Sequence, residues 1–232
     1  MKKHFFHIIF WLATSFNIAY AGDKSAEAVR VNTINTTYEQ IDFSACTPLD
    51  YNVFSKAYQG YISLLKGDKL NDIKGILTVC DYSLSANEKR MWIIDLRTRK
   101  VLINTYVAHG QGSGEEYANK FSDRPNSHQS SIGFYVTGKT YTGKHGNSLH
   151  LHGMDEGYNA KAYERAIVVH GAGYVSRDFI LGTGRLGRSW GCPAVSNDIS
   201  DEVIELIKEG TCLFIYYPDN NYLQSSTWLN KS

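Results

Sequence analysis

The chain has 232 residues, a formal net charge of +1 at pH 7, 13% aromatic residues and 16 tyrosines. This length fits one domain with or without an extension, and the near-neutral charge gives no electrostatic signature for nucleic acid or an anionic membrane surface. The many tyrosines and glycines, with only four prolines, favour an α+β fold that is mostly β with a few helices.

The first 21 residues are predicted to be a cleaved signal peptide. Lys2 and Lys3 precede an apolar run from Phe5 to Ala13, and Ala19-Tyr20-Ala21 matches an A-x-A cleavage pattern. The run is too short to span a bilayer, which needs about 20 apolar residues, although an uncleaved anchor is the alternative. We therefore expect an exported protein without a membrane span after cleavage.

The next segments are a polar lead-in and a helix. Gly22 to Ser44 lacks a clear period, so we expect an extended or mobile segment, possessing no fixed structure of its own. Apolar residues recur at helical spacing from Tyr51 to Leu65, with Asp50 placed as an N-cap and Gly67 as a stop. This pattern predicts a helix that packs on the domain.

Short strands make up most of the remaining chain. They are predicted at Ile76–Cys80, Arg90–Leu96, Lys100–Ala108, Ile132–Val136, Ser148–His152 and Ala166–His170. The second and third are separated by three residues, which indicates a hairpin. A helix from about Ser200 to Lys208 and a strand from Thr211 to Tyr217 follow, so we place the domain at residues 45–220 and a tail at 221–232.

The four cysteines lie in different contexts. Cys212 falls in an apolar strand pattern, where a lone cysteine acts as a small apolar residue, and Cys192 lies among glycines and polar groups. An even count in an exported protein suggests disulfides. Cys46 and Cys80 are then the one candidate bridge, and two unpaired thiols are the equal alternative.

Cys192 and His170 together suggest nucleophilic catalysis. The strand that ends at His170 is followed by Gly171 and a glycine-rich loop, and the loop ends at Ser189-Trp190-Gly191-Cys192-Pro193. A thiol is activated by a rigidly held imidazole, and glycines beside it let backbone N–H groups face a developing oxyanion. We interpret Cys192 as a nucleophile and His170 as its base; an inert loop cysteine with a structural histidine is the alternative.

These motifs resemble the L,D-transpeptidase (YkuD-like) family, in particular its subgroup of murein L,D-transpeptidase catalytic domain proteins. The resemblance runs from about Leu77 to Tyr217. The matching segments are Ala108-His109-Gly110, Ser127 to Tyr135, Gly143-Lys144-His145-Gly146, Ala166 to Gly171 and Gly187 to Val195.

The resemblance implies a bacterial enzyme of the periplasm or cell envelope that acts on peptidoglycan stem peptides without a cofactor. Cys192 would attack the L-to-D bond of a tetrapeptide stem and form a thioester. An amine would resolve the thioester to a 3–3 cross-link, and water would resolve it as an L,D-carboxypeptidase does. Backbone N–H groups of Trp190, Gly191 and Cys192 would form the oxyanion hole, and Ser189 and Gly171 would shape the site.

Substrate binding is where the sequence departs from the family. An arginine follows the catalytic cysteine in much of the wider family, but Pro193-Ala194-Val195 stand here. Arg188 or Arg185 can pair with a stem carboxylate instead, and a solvated loop arginine is the alternative for each. His152 is a further candidate for a residue that lines the cleft.

Two other functions fit part of the pattern. A zinc-dependent cell-wall peptidase would use His150 and His152, which lie on one face of a strand, with a third ligand from His109, His145 or Asp155. No H-E-x-x-H motif is present, and this hypothesis leaves the segment around Cys192 unexplained. The second alternative is a non-catalytic wall-binding module.

Overall fold

The computed structural model describes residues 28–71, 73–144 and 146–230. The predicted signal peptide, residues 1–21, lies outside the described residues. The chain divides into two units after Gln40, and the described part of the first unit is one helix, α1, at residues 28–39. The structure therefore differs from the predicted mobile lead-in. Val31, Ile34 and Tyr38 recur at steps of three and four residues, and this period within a polar segment indicates a helix.

An eight-stranded mixed sheet forms the second unit. Its strands are β1 Ile76–Asp81, β2 Met91–Asp95, β3 Lys100–Thr105, β4 Gly133–Gly143, β5 Gly146–Gly153, β6 Val168–Gly171, β7 Ala194–Val195 and β8 Cys212–Tyr216. They are ordered β3-β2-β1-β8-β4-β5-β6-β7, with β1–β8 and β6–β7 parallel and the other neighbours antiparallel. The mostly β fold and the β2–β3 hairpin are confirmed.

Helices flank the sheet. They are α2 Tyr51–Lys66, α3 Arg177–Thr183, α4 Asn197–Ile207, α5 Asn220–Ser225 and α6 Thr227–Asn230. The predicted N-cap of α2 is confirmed, since the Asp50 carboxylate accepts from the N–H groups of Asn52 and Val53. A Cβ at Gly60 would overlap the ring of Phe134, so this glycine lets α2 lie directly on β4.

The segment predicted as a tail folds against the domain. Tyr222 and Trp228 are buried, and the Trp228 indole donates to the carbonyl of Met154. The buried Asp155 carboxylate accepts from the hydroxyls of Ser226 and Tyr222. These aromatic side chains gain free energy by covering the sheet, and their polar ends find partners, so residues 220–230 belong to the domain.

None of the four cysteines, which all lie in the described part of the chain, forms a disulfide, so the candidate bridge between Cys46 and Cys80 is absent. Cys80 and Cys212 are buried in the adjacent strands β1 and β8, and burial raises the pKa of Cys80 to about 12. Across the described residues, no helix is long and apolar enough to cross a membrane.

Candidate active site

The Cys192 thiol lies beside the backbone of β6. Its Sγ is 3.5 Å from the N–H of Val168, which donates to it, and 3.7 Å from the carbonyl oxygen of Ala166. The parallel pairing of β6 with β7 begins two residues after the cysteine, where Ala194 is the register partner of His170. The short β7 therefore fixes the thiol next to the first residue of β6 and brings it to the strand that carries the histidine.

The histidine is held in one orientation. His170 is buried, and its Nδ1 lies 2.9 Å from the carbonyl oxygen of Gly171. Because a carbonyl can only accept, this contact assigns the proton to Nδ1 and leaves Nε2 able to accept a proton. Any side chain at Gly171 would come within 2.6 Å of the Ser200 hydroxyl on α4, so this end of the strand requires a glycine.

Burial governs the protonation of the Cys192 thiol. Burial raises the pKa of Cys192 above its ordinary value, while the Val168 N–H and the positive charge of Arg165 lower it by less. The thiol is therefore neutral at pH 7. Enclosure beside β6 therefore outweighs the favourable charges.

Ser189 stabilises the loop that carries Cys192 through two hydrogen bonds. Its hydroxyl donates to the carbonyl of Cys192 at 2.6 Å and accepts from the N–H of Gly191 at 3.0 Å. Gly191 has a φ of 124°, and a side chain there would come within 2.8 Å of the Gln129 carbonyl oxygen. Because the Gly191 N–H already donates to the Ser189 hydroxyl, it is occupied, contrary to the expected oxyanion hole of three N–H donors. In the described chain the N–H groups of Trp190 and Cys192 have no acceptor.

Trp190 stands out from the surface directly before Gly191. It is 71% exposed, and its ring stacks on His128 with the centroids 4.7 Å apart. The Nδ1 of His128 lies 3.0 Å from the side-chain amide of Gln111, which holds the imidazole under the indole. The indole is therefore held against His128 while most of its surface is exposed to solvent.

Arg165 is a buried residue that holds two loops together, and no sequence pattern indicates this role. Its guanidinium donates at 2.7 Å to the carbonyls of both Ser122 and Gln129, and it lies 3.5 Å from the carboxylate of Asp123. Its side chain is only 4% exposed. It joins the turn before β6 to the loop at residues 122–131, and those partners are too distant in sequence for a local pattern to indicate them.

The turn from Arg165 into β6 is unusual. Ala166 has a φ of 54°, in the left-handed region that favours glycine. Two hydrogen bonds fix it, from Ala166 N–H to the carbonyl of Tyr163 and from Ile167 N–H to that of Ala162. This is the hydrogen-bond pattern of a Schellman motif, and it turns the Ala166 carbonyl toward the thiol.

The two arginines proposed to bind a carboxylate already share one. Arg185 and Arg188 lie 3.1 and 2.7 Å from the two carboxylate oxygens of Glu115. Arg188 also donates to the carbonyl of Gly114, so it supports the loop that precedes Glu115. A substrate carboxylate would have to displace Glu115, whose side chain is exposed.

His150 and His152 lie on β5 and line a cavity of about 520 Å³ together with Tyr163. The ring of His152 stacks on Tyr163 at 4.9 Å. Of the proposed third zinc ligands, His109 lies 2.7 Å from the Arg90 guanidinium, Asp155 is bonded to the C-terminal helices, and His145 is outside the described residues. Among the described residues, no group of three or more potential ligands could hold a metal ion. The placement of His109 and Asp155 does not favour a zinc peptidase.

A half-buried thiol held beside the strand that carries an imidazole, with the Nδ1 of that imidazole bonded to a carbonyl, is an arrangement suited to cysteine acyl-transfer chemistry. The model of the L,D-transpeptidase catalytic domain family matches residues 46–216. This chain belongs to that family, and the resemblance of its motifs is confirmed.

No curated protein matches the chain. Similar solved structures include an L,D-transpeptidase from Mycobacterium smegmatis, with 13% identity, a TM-score of 0.39 and coverage of 62% of this chain and 59% of that one. Another is an L,D-transpeptidase from Stackebrandtia nassauensis, with 12% identity, a TM-score of 0.37 and coverage of 81% and 90%. The match thus spans less than two thirds of the Mycobacterium smegmatis structure. At these scores the family assignment rests on the family model alone.

Proposed function

We propose that this protein is an exported peptidoglycan L,D-transpeptidase with Cys192 as nucleophile and His170 as general base. The observation that carries the proposal is the thiol at the edge of β6, the strand on which His170 has its Nδ1 bonded to a carbonyl. Family membership supplies the substrate class, the peptide stems of peptidoglycan.

The chemistry follows from the protonation states. His170 Nε2 takes the thiol proton as Sγ bonds to the carbonyl carbon of the third stem residue, and the N–H groups of Trp190 and Cys192 stabilise the oxyanion. The C–N bond then breaks, and the imidazolium returns the proton to the leaving D-amino acid. An acceptor amine or water attacks the thioester, loses a proton to Nε2, and the thiol is re-formed.

The test is incubation of the purified mature protein with disaccharide-tetrapeptide, followed by mass spectrometry. We expect a thioester adduct on Cys192 with loss of one D-alanine, and then a cross-linked or tripeptide product. Cys192→Ala should abolish both. Cys46→Ala is the matched control, because Cys46 is also a half-buried free thiol, and it should retain activity. Activity that survives Cys192→Ala would contradict the proposal.

The same experiment separates the alternatives. Activity that is lost with a chelator and unaffected by a thiol reagent would favour the zinc peptidase. Binding of peptidoglycan without any turnover would favour the non-catalytic module.

A further inference from the structure

The cavity on β5, introduced above with His150 and His152, has a lining that the proposed chemistry does not use. Its rim carries two lysines, Lys69 and Lys139, and one acidic residue, Glu209. Both lysines are exposed, and in the described chain neither is in an ion pair. Two positive charges against one negative charge leave the rim with a net positive charge, which favours an anionic ligand.

The strand geometry builds this cavity. The register of β4 against β5 shifts between Thr137 and Thr140, which leaves Gly138 and Lys139 in an irregular segment. A Cβ at Gly138 would come within 2.7 Å of Nε2 of His152, so only a glycine leaves the histidine its place. Irregularities of this kind re-aim side chains beside binding sites, and here the segment places Lys139 on the rim.

The floor of the cavity contains the imidazoles of His150 and His152, and each is stacked on a tyrosine. His152 stacks on Tyr163, and His150 stacks on Tyr141 with the centroids 4.5 Å apart. Each imidazole therefore has one face held against a tyrosine. Nδ1 of His150 is a buried atom that has no hydrogen-bond partner in the described chain. An unpartnered buried ring nitrogen is costly, and a polar ligand group would satisfy it.

The cavity lies within reach of the nucleophile. His150 is the register partner of Val168, the residue whose N–H donates to the Cys192 thiol. Neighbouring strands are about 4.8 Å apart, so the cavity side of β5 and the sulfur at the outer edge of β6 are separated by roughly 10 Å. Three extended residues span about 10 Å, so a segment of a stem peptide can reach from the cavity to the sulfur.

We propose that this cavity binds a carboxylate of a peptidoglycan stem while another part of the bound peptide reacts at Cys192. Lys69 and Lys139 pair with the carboxylate, and His150 supplies a hydrogen bond from the floor. The inference rests on the proposed function and gives its substrate a second point of attachment. The carboxylate belongs either to the acyl donor or to the acceptor, since both are stems.

The direct test is calorimetric binding of disaccharide-tetrapeptide to the Cys192→Ala protein, in which no turnover occurs. Adding Lys69→Gln and Lys139→Gln should raise Kd about tenfold, as expected for loss of two exposed charge-assisted contacts. Lys89→Gln with Lys100→Gln is the matched control, because these lysines are also exposed but lie outside the cavity, and it should leave Kd unchanged. A tetrapeptide with amidated carboxyl groups should bind all three proteins alike.

Kinetics with the active protein then identify the source of the carboxylate. A higher KM for tetrapeptide in the hydrolysis reaction of the double lysine variant assigns it to the donor. A higher half-saturating concentration of a tripeptide acceptor alone assigns it to the acceptor. Equal affinity and kinetics for the double lysine variant and its parent would overturn this inference and leave the proposed function intact. Failure of the parent to bind or convert any stem would contradict both.

Discussion

Replacement of Arg165 by methionine is expected to destabilise the domain by about 3–5 kcal/mol, the usual cost of removing one partner of a buried ion pair. The change leaves the Asp123 carboxylate, which is 10% exposed, with the Lys161 N–H as its remaining donor. It also removes the donors to the carbonyls of Ser122 and Gln129. Because Lys161 N–H still compensates part of the charge, the lower end of that range is expected.

The same variant should alter the thiol. The positive charge of Arg165 lowers the pKa of Cys192, so its removal disfavours the thiolate and raises that pKa further. Alkylation of Cys192 by iodoacetamide should consequently shift to higher pH and become slower at any fixed pH below the midpoint. Urea unfolding gives the stability, and mass spectrometry of the alkylated peptide gives the rate.

Arg124→Met is the matched control, since Arg124 lies in the same loop but its side chain is exposed. Its stability should change by less than about 0.5 kcal/mol, as is usual for surface substitutions. If Arg165→Met and Arg124→Met unfold at the same urea concentration, the buried guanidinium does not hold this loop. If stability falls while the alkylation profile stays fixed, the charge does not act on the thiol.

Three further outcomes are expected. In the parent protein, the alkylation midpoint of Cys192 should lie above the ordinary thiol range, because burial raises its pKa; a midpoint near neutrality would instead show a resting thiolate–imidazolium pair. Ser189→Ala should lower kcat and cost about 1–3 kcal/mol of stability, since it unpairs the buried N–H of Gly191. Ser189→Thr keeps a hydroxyl and should restore part of the kcat and part of the stability in the same assays. Trp228→Ala should cost about 3–5 kcal/mol in thermal or urea unfolding because Trp228 is buried. Trp190→Ala, at an exposed site, should cost less than about 1.5 kcal/mol and instead raise KM. Equal losses of stability would contradict the packing of α6.

Local patterns were sufficient to predict much of the fold. The 3.6-residue period and Asp50 predict α2, and the apolar runs predict the strands of the sheet. The lead-in differs because Val31, Ile34 and Tyr38 are separated by polar residues, which obscured their helical spacing. The C-terminal segment differs because Met154, whose carbonyl accepts from the Trp228 indole, is more than seventy positions away.

One part of the candidate site could likewise be predicted from local sequence, and the other part could not. Cys192 and His170 were identifiable because each ends a recognisable segment next to a glycine. The support from Arg165, the sharing of Glu115 by two arginines and the loss of the Gly191 N–H to Ser189 depend on which loops meet in space. The spacing of residues within one segment carries no information on such contacts.

The shortness of β7 is itself a part of the site. In a longer parallel pair, the outward N–H of Val168 would donate to a carbonyl of the neighbouring strand. Here the pairing starts only at Ala194, and that N–H donates to the Cys192 sulfur instead. A donor fixed in the sheet favours the developing thiolate without any reorganisation, which offsets part of the cost of burying the thiol. A β7 extended by two residues would place backbone where the Cys192 thiol lies, so the position of the proposed nucleophile depends on the sheet ending where it does.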